Sequence, residues 1–121
     1  MPAYNFQARF VTMILDGTKR QTIRRWRKRP TKSGDVLKLY TGMRTKACRL
    51  VKVVDCTSVV PVVIYPEFGQ VRLNGRLLPL NEMIRFIEQD GFFDRMDEFY
   101  TFFTRYPQDV LDTLMEVIYW R

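Results

Sequence analysis

Apolar residues at Phe6, Phe10, Val11, Met13, Ile14 and Leu15 recur at helical spacing, and Asp16-Gly17 supplies a stop, so the pattern predicts a short helix over 6–15. Beyond that turn the period changes. Gln21 to Trp26 reads as extended, Pro30 to Gly34 as loop, and Asp35 to Tyr40 as a strand ended by the Thr41-Gly42 turn. Thr45 to Val54 predicts a further strand. Ser58 to Tyr65 predicts another, which Pro61 confines to an edge or a bulge because proline cannot donate to a ladder. The apolar arms of Val71 to Leu78 flank Asn74-Gly75, the pair that a two-residue hairpin turn prefers because both positions need positive φ. Asn81 can cap a helix carrying Met83, Ile84, Phe86 and Ile87 on one face, broken by Asp90-Gly91. Met96, Phe99, Phe102 and Phe103 mark a second helix running to Tyr106-Pro107, and Met115 to Trp120 can close a sheet as its last strand. Helix, several strands, two helices, strand is an α+β order, predicting a small β-barrel with flanking helices.

Neither linker, repeat nor low-complexity segment interrupts this pattern. At 121 residues and 46% hydrophobic content, 1–121 reads as a single domain with one core and no need of staples. Two cysteines, Cys48 and Cys56, and no histidine leave too few ligands for a structural zinc site, so neither metal nor cofactor is expected. A disulfide between the two is open to the chain but unforced, and free thiols fit a reducing, cytoplasmic setting. Met1 to Asn5 has no basic or apolar leader character, and no window reaches a membrane span, so neither export nor insertion is expected. Without histidine, Ser-His, Cys-His and His-metal chemistries are excluded.

Charge alters the picture most. The net charge is +7, yet residues 1–60 carry 14 Lys+Arg against 3 Asp+Glu, and residues 61–121 carry 6 against 10. From Lys19 to Lys32 there are eight cations and no acid, a density that self-repels unless a polyanion neutralises it. That footprint points to nucleic acid. Arg24 and Arg25, with planar forks suited to phosphate or a base edge, are candidate ligand residues, as are Arg20, Arg27, Lys28, Arg29 and Arg44. Trp26 amid these cations can stack a base, or can pack under arginine stems. Tyr40 and Tyr65 are candidate cleft aromatics that core packing explains equally well, while the Phe92 to Phe103 aromatics read as core.

The run Ile14-Leu15-Asp16-Gly17-Thr18-Lys19-Arg20-Gln21-Thr22-Ile23-Arg24, then Ser33 to Gly42, then Phe86-Ile87-Glu88-Gln89-Asp90-Gly91-Phe92, resembles the ASCH (activating signal cointegrator homology) family in the same order along the chain. The resemblance implies a PUA-like β-barrel with an RNA- or nucleoside-binding cleft lined by the Gly-x-Lys turn. Small bacterial members hydrolyse N4-acetylcytidine with a Lys, a Thr and a Glu. Lys19 and Thr22 match the first two, and Asp90, one methylene shorter, stands nearest the third, with Glu88 and then Glu82 as fallbacks.

Amide hydrolysis needs a nucleophile, a base and positive charge where the oxyanion develops. Thr22 can attack or position a water. Lys19 can act as base once its pKa falls, as neighbouring arginines favour and a carboxylate opposes. Residues 19 and 22 point to opposite faces of a regular strand, so they converge only if Lys19 sits in the turn. Plainer roles exist for each: Lys19 as an exposed lysine, Thr22 as a strand former, Asp90 as a helix-ending residue. The alternatives are a non-catalytic RNA-binding or regulatory module, a ribonuclease using the same cleft, or a basic face that docks on an acidic protein.

Overall fold

A computed structural model describes residues 2–121, an α+β chain with a seven-stranded sheet and four helices. In chain order these are β1 (Ala3–Phe6), a single 3-10 turn (Ala8–Phe10), α1 (Val11–Asp16), β2 (Gln21–Arg25), β3 (Val36–Thr41), β4 (Arg49–Tyr65), β5 (Gln70–Leu73), β6 (Arg76–Leu77), α2 (Leu80–Gln89), α3 (Met96–Phe103), α4 (Gln108–Thr113) and β7 (Met115–Trp120).

β4 organises the sheet. Its first third pairs antiparallel with β3, its middle with β7 (Cys56↔Trp120 to Pro61↔Glu116), and its last residues with β5 (Val62↔Leu73). Pro61 therefore stands where the strand changes partner, so its missing N–H interrupts neither ladder and β4 runs on for 17 residues where two strands were expected. The Asn74-Gly75 hairpin is present, with Leu73 opposite Arg76 and both turn residues at positive φ (51° and 82°).

The amino end differs from expectation. Tyr4 and Phe6 alternate inward on β1, which pairs in parallel with β3, so the expected helix over 6–15 becomes a strand, a 3-10 turn and the six residues of α1. α4, which was not expected, packs on β4 and β7. Asn81 does not cap α2; the helix begins at Leu80 after an extended Pro79.

Strand pairing runs from β1 through β3, β4 and β7 to β2 without a ladder joining β1 to β2, so a closed barrel is not formed by hydrogen-bonded strands. Side chains span that seam instead. Arg24 donates from Nη2 to the Asn5 carbonyl at 2.6 Å, Arg27 from Nη2 to the Ala3 carbonyl at 3.1 Å, and the Tyr4 hydroxyl bonds the Thr31 hydroxyl. Both guanidinium groups also lie over the Tyr4 ring. The main core fills the space between the sheet and α2–α3, where Phe92, Phe99 and Phe103 pack edge-on or tilted with ring centres 5.0–5.6 Å apart.

Candidate functional site

The turn between α1 and β2 is built by Gly17, which ends α1 in the left-handed region (φ 85°), and by Asp16, whose Oδ1 accepts the Thr18 N–H at 2.8 Å. Two main-chain bonds then fix the next residues: Lys19 N–H to Met13 O and Arg20 N–H to Gln89 O. Lys19 thus precedes the strand rather than lying in it. The alternation that would have separated it from Thr22 does not apply, and both line one cleft.

Lys19 is not the exposed lysine that composition favours. It is 3% exposed, and its Nζ donates to the Asp90 carbonyl at 2.5 Å, with Asp90 Oδ1 at 3.8 Å. α2 explains why Asp90 is there. Met83, Phe86 and Ile87 bury one helical face, Asp90 caps the end with its N–H on Phe86 O and Ile87 O, and the helix dipole leaves partial negative charge where the ammonium sits. Gly91 follows at φ 99°, with Phe10 and Lys19 packed so closely against it that no side chain fits.

Burial opposes both charges. It pulls Lys19 down to about 8 against the Coulombic pull of Asp90, with Arg24 adding to the fall. It pushes Asp90 up to about 6 against the charge of Lys19, the Gln21 hydrogen bond and the charge of Arg24. Arg24 is also lowered, by burial first and then by Arg27.

Thr22, buried on β2, accepts a hydrogen bond at Oγ1 from Arg24 Nε at 2.9 Å, and Arg24 in turn lies 4.8 Å from the Phe6 ring centre. Lys19, Thr22, Arg24 and Asp90 share a cleft of about 220 Å³ walled by Phe6, Phe10, Phe92, Phe102, Phe103 and Tyr106, with Arg105 at its edge. Of these, Phe92, Phe102 and Phe103 were expected only as core. Phe102 and Phe103 serve both purposes, and Arg105, stacked 3.9 Å from the Phe102 ring centre, carried no signal in the sequence.

The remaining candidates lie elsewhere. Arg25, Trp26, Arg27, Lys28 and Arg29 are exposed as β2 leaves the cleft, with Trp26 52% exposed rather than buried under arginine stems. Arg20 lines a separate hollow with Gln89 and Tyr119. Tyr40 is half-buried on β3 and Tyr65 half-buried at the end of β4. Arg44 is exposed in the turn after β3, whose Met43 N–H is held by Asn5 Oδ1 at the cleft edge. Glu82 pairs with Arg76, away from Lys19, and Glu88 is half-buried and outside this cleft.

Among the described residues no group of His, Cys, Asp and Glu is placed to hold a metal ion, Cys48 and Cys56 are free thiols, and no helix is long and apolar enough to cross a membrane.

The buried pair makes stability depend on pH in a definite sense. Between 3.8 and about 6 the folded chain binds more protons at Asp90 than the unfolded one, so stability falls as pH rises. Between about 8 and 10.5 the unfolded chain binds more at Lys19, so stability rises with pH. The pair is therefore most costly from about 6 to 8. Urea unfolding of the wild type and of a Lys19→Met/Asp90→Asn double variant should show the variant's relative advantage largest in that window and shrinking on either side. A difference independent of pH would show that the two groups do not titrate as described. Comparison of the chain with family models, with curated proteins and with solved structures found no match.

Proposed function

We propose that the cleft binds the base of a modified cytidine, in RNA or as a nucleoside, and hydrolyses the amide on its N4 atom, as the ASCH resemblance implies for N4-acetylcytidine. The observation that carries this reading is the meeting of an amine, a hydroxyl and a carboxyl, from a turn, a strand and a helix end, in one aromatic-walled cleft. An amine pulled to about 8 is neutral often enough near pH 7 to serve as a base.

Neutral Lys19 takes the Thr22 hydroxyl proton as Oγ1 attacks the acetyl carbon. Because Oγ1 already accepts from Arg24, its own proton is the one left to give away. The carbon–nitrogen bond then breaks, and the Lys19 ammonium returns the proton to the departing N4 amino group. Water, deprotonated by the same amine, cleaves the Thr22 ester, so that cytidine and acetate leave and the side chains are restored. The Arg24 charge stabilises the oxyanion of both steps. Asp90 holds the amine in place and balances its charge.

The exposed strip from Arg25 to Arg29 runs on from the end of β2 and supports RNA as the larger ligand. A PUA-like barrel is the form of the fold that we propose, with Arg24 and Arg27 spanning its open seam. Calorimetric titration with cytidine tests the binding step. Arg24→Ala should weaken nucleoside binding by about tenfold or more, the loss of one charged hydrogen-bonding group. Lys28→Ala should leave nucleoside binding unchanged and flatten the salt dependence of RNA binding. Equal affinity of Arg24→Ala and wild type for the nucleoside would remove the cleft as its site.

A further inference from the structure

Gln21 is fully buried, and its Oε1 is the one buried side-chain polar atom without a hydrogen-bond partner among the described residues. Its Nε2 donates to Asp90 Oδ1 at 3.3 Å. Orphaned buried acceptors are rare because nothing replaces the water they gave up. Here the orphan belongs to an amide whose other end touches a carboxyl, the one neighbour that becomes a donor when it gains a proton. We propose that Gln21 is a positioning residue that serves both proton states of Asp90, donating from Nε2 to the carboxylate and, turned over about its last torsion, accepting at Oε1 from the carboxylic acid.

The surroundings suit that role. The charged or titratable groups facing Asp90 are Lys19 in the turn, Arg24 on β2 and Tyr119 on β7. The ammonium is held chiefly by the Asp90 main-chain oxygen, which accepts an N–H from Lys19 whether the amine is charged or neutral. A proton can therefore pass from Lys19 to Asp90 once the 3.8 Å between Nζ and Oδ1 closes to hydrogen-bond distance, while the main-chain bond keeps the amine beside the carboxyl. The ion pair becomes a neutral pair, with a lone pair on Lys19 and a proton on Asp90, and the amide of Gln21 turns to receive that proton's hydrogen bond. Burial drives the two acidities toward each other, to about 8 and about 6, which narrows the gap that this transfer must cross. Its bearing on catalysis rests on the hydrolase reading, since the neutral pair is one form in which Lys19 is a base; the proton-state device itself needs no substrate, and neither does its test.

Neutron diffraction from wild-type crystals held below and above the Asp90 midpoint distinguishes nitrogen from oxygen by its deuterons. The expected result is Nε2 toward Asp90 above the midpoint, and Oε1 toward a deuterated Asp90 oxygen below it. One orientation at both pH values overturns the proposal. In solution, Gln21→Met removes donor and acceptor together. The ¹³C titration midpoint of Asp90 should then stay within about half a unit of wild type, and the urea midpoint should fall equally on both sides of it. A midpoint raised by about one unit or more, with the loss confined to the higher pH, would show that Gln21 serves only the carboxylate. If Gln21→Met does not fold, the wild-type neutron data decide alone.

Discussion

Under the hydrolysis proposed above, Lys19→Met is expected to lower cytidine release from N4-acetylcytidine by about 100- to 10,000-fold, the range that loss of a general base covers. The same change has a second effect that an ordinary surface lysine would not produce. Asp90 is 4% exposed, and without the ammonium its carboxyl keeps only the Gln21 amide as a close polar partner. A buried charge left alone is more costly than the pair was, so the single variant should lose about 3 kcal/mol or more at pH 8. Below the Asp90 midpoint the loss should shrink, because the carboxyl there is neutral in either protein. Lys19→Met combined with Asp90→Asn removes the stranded charge and, between pH values of about 6 and about 8, should restore the stability to at least that of the wild type while remaining inactive. Stability measured by urea unfolding and activity measured by cytidine release would then separate, as expected when a site is kept at the expense of the fold.

Gly91→Ala carries a comparably large expected effect on folding. At φ 99° a side chain is strained, and a Cβ placed there would lie 2.7 Å from Phe10 Cδ1, 2.8 Å from Cε1 and 3.3 Å from Lys19 Cδ. Phe10 has little room to yield, since its ring already packs edge-on against Phe92 with centres 5.5 Å apart. Left-handed strain and overpacking together should cost about 2–4 kcal/mol, a fall in Tm of about 10 °C. Gly17→Ala is the matched control. Its φ is 85°, but nothing lies within 4 Å of the added carbon, so only the backbone term of about 1–2 kcal/mol applies. Calorimetric Tm values for the two variants should therefore differ by several degrees. Equal losses would mean that the space beside Phe10 and Lys19 is less confined than described.

Much of the lining of the candidate cleft is legible in the sequence because its parts are local. Asp16-Gly17 announces the end of α1, and placing Lys19 in the resulting turn is enough to bring it onto the Thr22 side of β2. Asp90-Gly91 announces the end of α2 in the same way. That the two ends meet is tertiary information, supplied by Arg20 N–H on Gln89 O and Lys19 Nζ on Asp90 O, contacts about 70 residues apart in the chain. The aromatic wall was hidden for a different reason: large apolar residues at helical spacing bury a face, and spacing cannot tell which of them also borders a cleft. β1 escaped notice because Phe6 fits a helical period with Phe10 as well as it fits alternation with Tyr4, and only its parallel partner β3 decides between them. Gln21 is silent in the sequence because a glutamine on a short strand carries no signal until its neighbour is known to be a buried carboxyl.

The most direct measurement is chromatographic: wild-type protein and Thr22→Val are incubated with N4-acetylcytidine, and cytidine and acetate are followed in both. The account predicts equimolar release of both products by the wild type and none above background by the variant. No release at high wild-type concentration, or undiminished release by Thr22→Val, would contradict it.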